Sequence, residues 1–276
     1  MALRINTNMQ ALNAHRELTQ TDARLALSMQ KLSSGYRINT AKDDVSGLSI
    51  ANKFRLEVRG LRMAQQNVAQ ATAMLQVAEG GANQIEGIVE RLKELATLAA
   101  SDNTDSAGRT RLNAEASELI EEIDRIASDT KYSGTALLNA GISLTFQIGS
   151  GNTAAEDQIT VTTSDGLLSS DLGLNSLSLS SIASAQAAIT SIDSALTSVN
   201  VILGEIGAAQ SRFEYASANL AVSVENLSAS ESTIRDVDMA FEMVNFTRNQ
   251  ILMQAGTAML AQANLLPQNV LALLGR

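Results

Sequence analysis

The sequence contains no cysteine and only one histidine, His15. A chain without thiols has no disulfide scaffold and no thiolate metal site, and it suits a protein that crosses compartments without forming wrong bridges. Zinc sites built on two or three histidines are excluded because one imidazole cannot supply them, and a catalytic triad that uses histidine would depend on His15 alone. His15 itself is expected on a helix surface. The sequence therefore predicts no enzyme and no cofactor.

An excess of positive charge is also lacking. The formal net charge is −9 and the pI is about 4.7, and the Lys and Arg residues form no basic stripe. Neutralising a phosphate backbone requires such a stripe, so no nucleic-acid partner is predicted. The first residues do not resemble a cleavable signal, and no segment has 18 consecutive apolar residues, so no membrane partner is predicted. Secretion would need a dedicated export route.

What the sequence does contain is a long apolar heptad pattern between Leu61 and Ala99. Its residues recur at alternating steps of three and four, which predicts a coiled-coil helix. At 1.5 Å per residue this helix would be about 58 Å long, more than one element of a compact domain usually spans, so a rod is expected. The seam consists of Leu61, Ala64, Val68, Ala71, Leu75, Ala78, Ala82, Ile85, Val89, Leu92, Ala96 and Ala99.

A second seam between Ile182 and Leu227 supplies the partner. The two seams have similar lengths, and the chain between them can return over that distance, so antiparallel packing is expected. The seam consists of Ile182, Ala185, Ile189, Ile192, Leu196, Val199, Leu203, Ile206, Phe213, Leu220, Val224 and Leu227. Gly80 and Gly81 lie midway along the first seam, and each costs about 1 kcal/mol relative to Ala. They mark either a curve or a close helix approach, or else a tolerated weakness.

The predicted fold is mainly α, with an antiparallel coiled-coil rod over residues 50–232. A helix covers residues 6–32 and ends at Gly35, and residues 36–49 form a linker that is a candidate hinge. A shorter helix runs from Leu112 to Ile126 and packs along the rod. Alternating residues near 143–163 predict a β-hairpin with its turn at 149–157, followed by a loop over 164–181.

The terminal helices, residues 1–35 and 233–276, have apolar faces without a partner in the rod. Pairing them with each other would bring both chain ends together, yet part of their apolar surface would still require other subunits. This predicts self-assembly through the termini. The residues assigned to it are Ile5, Leu18, Leu25, Leu32, Phe241, Val244, Ile251 and Leu266.

Two other motifs have simpler interpretations than a binding site. The stretch Gly149–Asn152 lacks the Gly-Lys-Ser/Thr that follows in phosphate loops, so a hairpin turn explains it better. The carboxylate pairs at Asp43 with Asp44 and at Asp236 with Asp238 have no second acid cluster nearby. Roles at helix starts and in linkers are favoured for them.

Several motifs resemble bacterial flagellin over nearly the whole chain. The amino-terminal ones are Ile5-Asn6-Thr7-Asn8, Leu32-Ser33-Ser34-Gly35-Tyr36-Arg37-Ile38-Asn39, Ala41-Lys42-Asp43-Asp44 and Gly47-Leu48-Ser49-Ile50-Ala51. Further along come Ile123-Asp124-Arg125-Ile126, Phe146-Gln147-Ile148-Gly149 and Pro267-Gln268-Asn269-Val270-Leu271. The chain resembles a short flagellin that lacks the variable outer domains.

This resemblance implies a homopolymer of many copies in the extracellular flagellar filament, with terminal helices lining an inner tube. It also implies unfolded export through the flagellar type III channel, an export chaperone on the carboxyl-terminal helix, and contacts with hook-associated and cap proteins. A flagellin-sensing Toll-like receptor of vertebrates would recognise a patch at Glu90, Arg91, Leu95 and Glu122. Because Arg91 and Leu95 lie off the seam, both are expected to be available to partners.

The alternatives are a hook-filament junction protein, which shares the terminal motifs, and another self-assembling coiled-coil scaffold. Junction proteins usually match the linker and the hairpin less well. A flagellin with an enzymatic insert is disfavoured because the chain has no insert. A membrane-active amphipathic protein is disfavoured by the acidic charge and by the low aromatic content of 3%.

Overall fold

The computed structural model describes residues 8–274, with side chains through residue 265. Within this range the fold is mainly α, as predicted, with six helices and two pairs of short antiparallel strands. The helices are α1 (Met9–Ser34), α2 (Val45–Ala99), α3 (Ser106–Asp129), α4 (Ala154–Asp157), α5 (Ile182–Arg235) and α6 (Met239–Leu274). The strands are β1 (Lys131–Tyr132), β2 (Thr135–Ala136), β3 (Ser143–Gln147) and β4 (Gln158–Thr162). They form a central unit, residues 57–225, and a terminal unit that combines residues up to 56 with those from 226 onward.

The predicted α2 seam is the core of the central unit. All twelve seam positions, of which Leu61 is the first and Ala99 the last, are buried. Two side-chain pairs show that α5 runs antiparallel to α2. Gln210 Nε2 donates to Glu79 at 2.8 Å, and Lys93 Nζ lies 2.6 Å from Asp193. Moving forward along α2 therefore means moving backward along α5, as the matched seams predict.

The α5 seam differs from its prediction in one row. Ala185, Ile192, Val199, Ile206, Phe213 and Leu220 are buried as expected. The other row was predicted at Ile189, Leu196 and Leu203, and these three residues are only half-buried. The residues buried in their place lie one position earlier at the first three sites, and the buried row consists of Ala188, Ala195, Ile202 and Ala209. Small alanines between the helices allow a close approach of α2 and α5, and the larger side chains then pack at the edges of the seam.

Helix α3 packs along the second half of α2. Its N-cap Asp105 accepts a hydrogen bond from Gly108 N at 2.7 Å, and Arg109 Nε donates to the Ala99 carbonyl at 2.9 Å. Ala116, Ile123 and Ala127 form its buried face. At the end of α3 the chain passes close to Gly81, where an added Cβ would lie 2.6 Å from Thr130 Oγ1. Gly81 is thus required by close packing, as one interpretation of the glycine pair predicts.

The predicted β-hairpin is confirmed. Strands β3 and β4 pair in antiparallel register from Ser143 with Thr162 to Gln147 with Gln158. Phe146 fixes the hairpin to α5 through an edge-to-face contact with Phe213, with ring centroids 5.5 Å apart. A second hairpin, β1–β2, was not predicted. It turns through Ser133 and Gly134, which both have positive φ, and each of its strands has only two residues.

The segment 164–181 has no long regular element, as predicted, yet it is firmly packed. Leu167, Leu172, Leu174 and Leu179 are buried beneath it. Asp124 on α3 accepts hydrogen bonds from Ser169 N at 2.7 Å and from Ser169 Oγ at 2.8 Å. On α5, the Glu205 carboxylate accepts hydrogen bonds from Ser164. Side-chain acceptors from two helices thereby satisfy backbone groups that no strand or helix pairs.

In the terminal unit, α1 and α6 pack against each other as an antiparallel pair. Asn8 caps α1 by accepting a hydrogen bond from Ala11 N, and its Nδ2 reaches the Ala263 carbonyl at 2.8 Å. At the other end, Gly35 closes α1 in the left-handed conformation with φ 74°. Pairing of the two terminal helices is therefore confirmed, and it brings residue 8 close to residue 263.

The linker predicted as a hinge is held by several hydrogen bonds. Tyr36 forms an isolated antiparallel bridge with Asp236, and Arg37 N donates to the Arg235 carbonyl at 2.7 Å. The Arg235 guanidinium stacks over the Tyr36 ring at 4.1 Å. Asp43 Oδ2 accepts hydrogen bonds from Thr40 N at 2.9 Å and from Asn39 N at 3.1 Å.

These hydrogen bonds lower the pKa of Asp43, with the Thr40 backbone N–H contributing most and the Asn39 N–H next. A lowered pKa means that the charged carboxylate stabilises the turn above its ordinary pKa, and that this contribution is lost as pH falls through the lowered value. We expect the protection of the amides of residues 39 and 40 against hydrogen exchange, relative to the intrinsic exchange rate at each pH, to fall on acidification. Asp43→Asn should remove that acid dependence, and an unchanged profile in this variant would contradict the assignment.

Candidate assembly and partner surfaces

The inner face of the α1–α6 pair contains three of the residues predicted for self-assembly. Leu18, Leu25 and Leu32 are half-buried. The backbone of Gly256 lies so close to Leu18 that an added Cβ would be 2.9 Å from its Cδ1. The polar residues Thr21, Ser28 and Glu242 are also buried in this unit. A pair held by half-buried leucines and buried polar groups has only a thin apolar seam.

The outer face contains three more of those residues. Phe241, Val244 and Ile251 are 66%, 57% and 60% exposed. Other large apolar side chains are exposed on the same two helices, and these are Met9, Leu12, Leu27, Met29, Met239, Met243, Leu252, Met259 and Leu265. Ile5 lies outside the described residues, as does the side chain of Leu266. Among the described residues, the pairing of α1 with α6 thus leaves part of the apolar surface of both helices uncovered.

A groove on α6 concentrates this exposed surface. It has a volume of about 480 Å³ and is lined by Met243, Val244, Thr247, Arg248, Ile251 and Leu252. The α1 residues Met9, Leu12, Leu27 and Met29 were missed as site candidates because they lie off the single seam used for prediction. The sequence feature that could have identified them is a second apolar stripe on α1, in addition to the stripe that was already expected to contact α6.

The predicted receptor patch lies in the central unit on α2 and α3. Arg91 Nη1 lies 2.7 Å from Glu94, and Arg91 Nη2 lies 2.9 Å from Glu115. The hydrogen bond that Arg91 donates to Glu94, followed by the one that it donates to Glu115, raises the pKa of Arg91. On α3, the hydrogen bond from Arg125 lowers the pKa of Glu122. These groups therefore form a charged surface that remains ionised at neutral pH.

Leu95 does not belong to that surface, because its side chain is only 1% exposed. It lies one helical turn after Arg91 and one before Ala99, two positions that both contact α3. The prediction that Leu95 is available to partners is therefore wrong. Lying off the α2–α5 seam did not imply exposure, since α3 covers a second face of α2. Glu90 and Arg91 are exposed, and Glu122 is partly exposed.

Substitutions at Arg91 and Leu95 should consequently have different effects on the free energy of unfolding. Arg91→Ala removes two exposed ion pairs, which solvent and salt weaken, and should leave the melting temperature nearly unchanged. Leu95→Ala creates a cavity in a buried interface and should cost about 2–5 kcal/mol. Thermal unfolding followed by circular dichroism measures both. Equal melting temperatures for the two variants would contradict the buried position of Leu95.

Helix α5 is long and apolar enough to span a bilayer by length and composition, with a mean hydropathy of 1.3 over 18 residues. A core helix of a soluble protein passes the same test, and 28% of this window is buried. Helix α5 contacts α2 through Gln210 and Asp193. Among the described residues, no group of three or more His, Asp and Glu residues could hold a metal ion.

The sequence of this chain matches family models and known proteins over nearly its whole length. A family model described as the bacterial flagellin N-terminal helical region matches residues 5–142, and one described as the bacterial flagellin C-terminal helical region matches residues 189–274. The chain is 40% identical to a flagellar filament 33 kDa core protein from Treponema phagedenis, covering 98% of this chain and 99% of that protein. It is 37% identical to a flagellin from Bacillus subtilis, covering 99% and 100% of the two chains. A putative flagellar hook-associated protein from Vibrio parahaemolyticus has a similar fold, with a TM-score of 0.57 and 12% identity over 71% of this chain and 100% of that chain.

Proposed function

Because this chain belongs to the bacterial flagellin family, we propose that it is a structural subunit that polymerises in many copies into the flagellar filament. The observation that supports this most directly is the exposed apolar surface of α1 and α6. Even after the two helices pair, residues such as Phe241 and Ile251 are more than half exposed. Large apolar patches on a soluble surface indicate an interaction site, and neighbouring copies would cover them.

A hook-filament junction protein is not favoured. The curated relatives are named as flagellins and filament core proteins, and their matches cover 98% or more of this chain. The likeness to the hook-associated protein, at 12% identity, shows a shared fold alone. The family is structural, so the proposal includes no catalytic step and no cofactor.

The filament is an extracellular appendage, and the proposal therefore includes secretion through the flagellar type III channel in an unfolded state. An export chaperone would bind α6, whose groove at Met243 to Leu252 suits an apolar helix. Hook-associated and cap proteins would contact the filament ends.

Electron microscopy of the purified chain after seeded assembly tests the proposed function. Tubular filaments are expected, and monomers or irregular aggregates under all seeded conditions would contradict it. A useful control is Phe241→Asp with Ile251→Asp, which places two charges on the exposed face of α6. Because both positions are exposed, this variant should keep its helicity and lose assembly.

Recognition by a flagellin-sensing Toll-like receptor is part of the proposal for the surface at Glu90, Arg91 and Glu122. Arg91→Ala should weaken receptor signalling by monomer without changing its thermal unfolding. Arg62→Ala, at another exposed arginine of α2, is the matched control. A normal dose response from Arg91→Ala would contradict the assignment, whereas a loss with Leu95→Ala alone would reflect disturbed packing.

A further inference from the structure

Six large apolar side chains stay exposed in the central unit, all of whose residues the structure describes. Three lie on α2, namely Met63, Val77 and Leu98, and three lie on α5, namely Val201, Tyr215 and Val222. Along each helix their separations are multiples of seven residues. Residues spaced by heptads share one helix face, so these side chains mark two stripes. Leu98 lies beyond the α2 stripe, because the intervening positions at this spacing are the charged residues Arg91 and Glu94. Both stripes lie away from the seam that α2 and α5 bury against each other.

We define the stripes by continuing the 3.5-residue spacing through the neighbouring exposed or half-buried positions. The α2 stripe consists of Met63, Gln66, Gln70, Ala73, Val77, Gly80, Gln84 and Gly87. The α5 stripe consists of Val201, Gly204, Ala208, Ser211, Tyr215, Ala218 and Val222. Neither contains a charged residue. At 1.5 Å per residue they are about 36 Å and about 32 Å long, so their lengths match.

Glycines within the stripes have no packing reason inside the subunit. A Cβ added at Gly80, Gly87 or Gly204 would meet no atom within 4 Å. Gly81 differs, because Thr130 and Leu138 occupy that space. A glycine in a helix interior costs about 1 kcal/mol relative to Ala, and a closely packed second helix is one compensation for that cost. The open glycines therefore favour a helix approaching from another molecule.

The net charge of the central unit indicates which kind of partner covers the stripes. The central unit has 21 Asp and Glu residues against nine Lys and Arg residues, so two copies repel each other over most of their surface. A basic partner would bind the acidic faces. An uncharged stripe instead suits a partner that carries the same negative charge, and a second copy of this chain is such a partner.

We propose that the α5 stripe of one subunit packs lengthwise against the α2 stripe of the next. This inference rests on the proposed function and names the surfaces that the central units use within the polymer. Because the two stripes are different surfaces of one chain, the contact is heterologous and leaves a free stripe at each end. A contact of this kind does not close into a dimer, and it extends along the open polymer that the terminal helices hold together.

Disulfide cross-linking tests the pairing directly, since the natural chain has no cysteine. Tyr215→Cys chains are copolymerised in turn with chains that carry one cysteine at each position of the α2 stripe. Oxidised filaments should contain cross-linked dimers for at least one mixture, and Tyr215→Cys filaments alone should contain none. Absence of cross-links from every mixture would overturn the proposal, as would cross-linking of Tyr215→Cys with itself.

Substitutions that add a charge or a large side chain to the α5 stripe provide the second test. Ala208→Glu lies on the α5 stripe and Ala221→Glu lies off it, and both positions are exposed. Both variants should melt like the unmodified chain, while only Ala208→Glu should lower filament yield, by about tenfold or more. Gly204→Leu adds bulk without charge into open space, so it should also melt normally and assemble poorly.

Equal filament yields for Ala208→Glu, Gly204→Leu and Ala221→Glu would overturn the stripe contact. The result separates the two proposals. If the unmodified chain forms no filaments, the proposed function fails. If it forms filaments that tolerate the stripe variants and give no cross-links, only this inference fails.

Discussion

A chain trimmed to residues 45–232 should remain helical, soluble and monomeric but form no filaments under seeded conditions. It keeps the buried α2–α5 seam, α3 and both hairpins, which together contain most of the buried apolar residues. It loses α1 and α6, and with them Phe241, Val244 and Ile251. Circular dichroism measures the helicity, sedimentation measures solubility and oligomeric state, and electron microscopy detects filaments. The expected effect is complete loss of assembly, because the largest exposed apolar surface is removed.

Two further chains make this experiment specific. One lacks only α1 and the other lacks only α6, so each exposes the face that the missing helix covered. Both should aggregate more than the trimmed chain, since an unpaired amphipathic helix remains exposed. Tubular filaments from the trimmed chain would show that the central unit assembles without the terminal pair. Full-length chain under the same conditions is the positive control.

Leu75→Asp should sharply lower the melting temperature of the full-length chain. Leu75 lies in the α2 seam with 1% of its surface exposed. The substitution removes a buried apolar side chain and places a carboxylate where no partner is available, at a combined cost of at least about 4 kcal/mol. For a chain of this size the melting temperature should fall by about 10 °C or more. Thermal unfolding followed by circular dichroism is the measurement.

The matched control is Val77→Asp, two residues further along α2. Val77 is 42% exposed, so the same new charge should change the free energy of unfolding by only about 0.5 kcal/mol. On α5, Ile202→Asp should destabilise strongly, whereas Leu203→Asp should destabilise less because Leu203 is half-buried. Similar melting temperatures for Leu75→Asp and Val77→Asp would contradict the seam.

The α2 seam could be predicted from spacing alone because every seam position faces one partner over its whole length. The hairpin was also predictable, since alternation in Leu144, Phe146, Ile159 and Val161 is a local signal. The α5 seam was harder. Both Leu203 and Ile202 fit a helical period, and the close approach of α2 through small alanines decides which of them is buried.

Leu95 shows the limit of that reasoning most clearly. Periodicity identifies the face that meets a single partner, and it contains no information about a third helix on another face. Segment 164–181 illustrates the same point, because its Ser-, Leu- and Gly-rich sequence predicts a loop while Asp124 and Glu205, distant in sequence, hold it in place. Burial that depends on elements far apart in the chain is not encoded in any local window.

The sequence by itself determined the helical class, the two matched seams, the cap at Gly35, and the family resemblance. These features depend on residues within a few turns of each other or on motifs read directly. Tertiary structure decided the placement of α3 over Leu95, which row of α5 is buried, and the outward stripes of α2 and α5. The physical reason is that exposure is a property of the whole packed unit: an apolar residue is left for a partner only after every other element of its own chain has been placed.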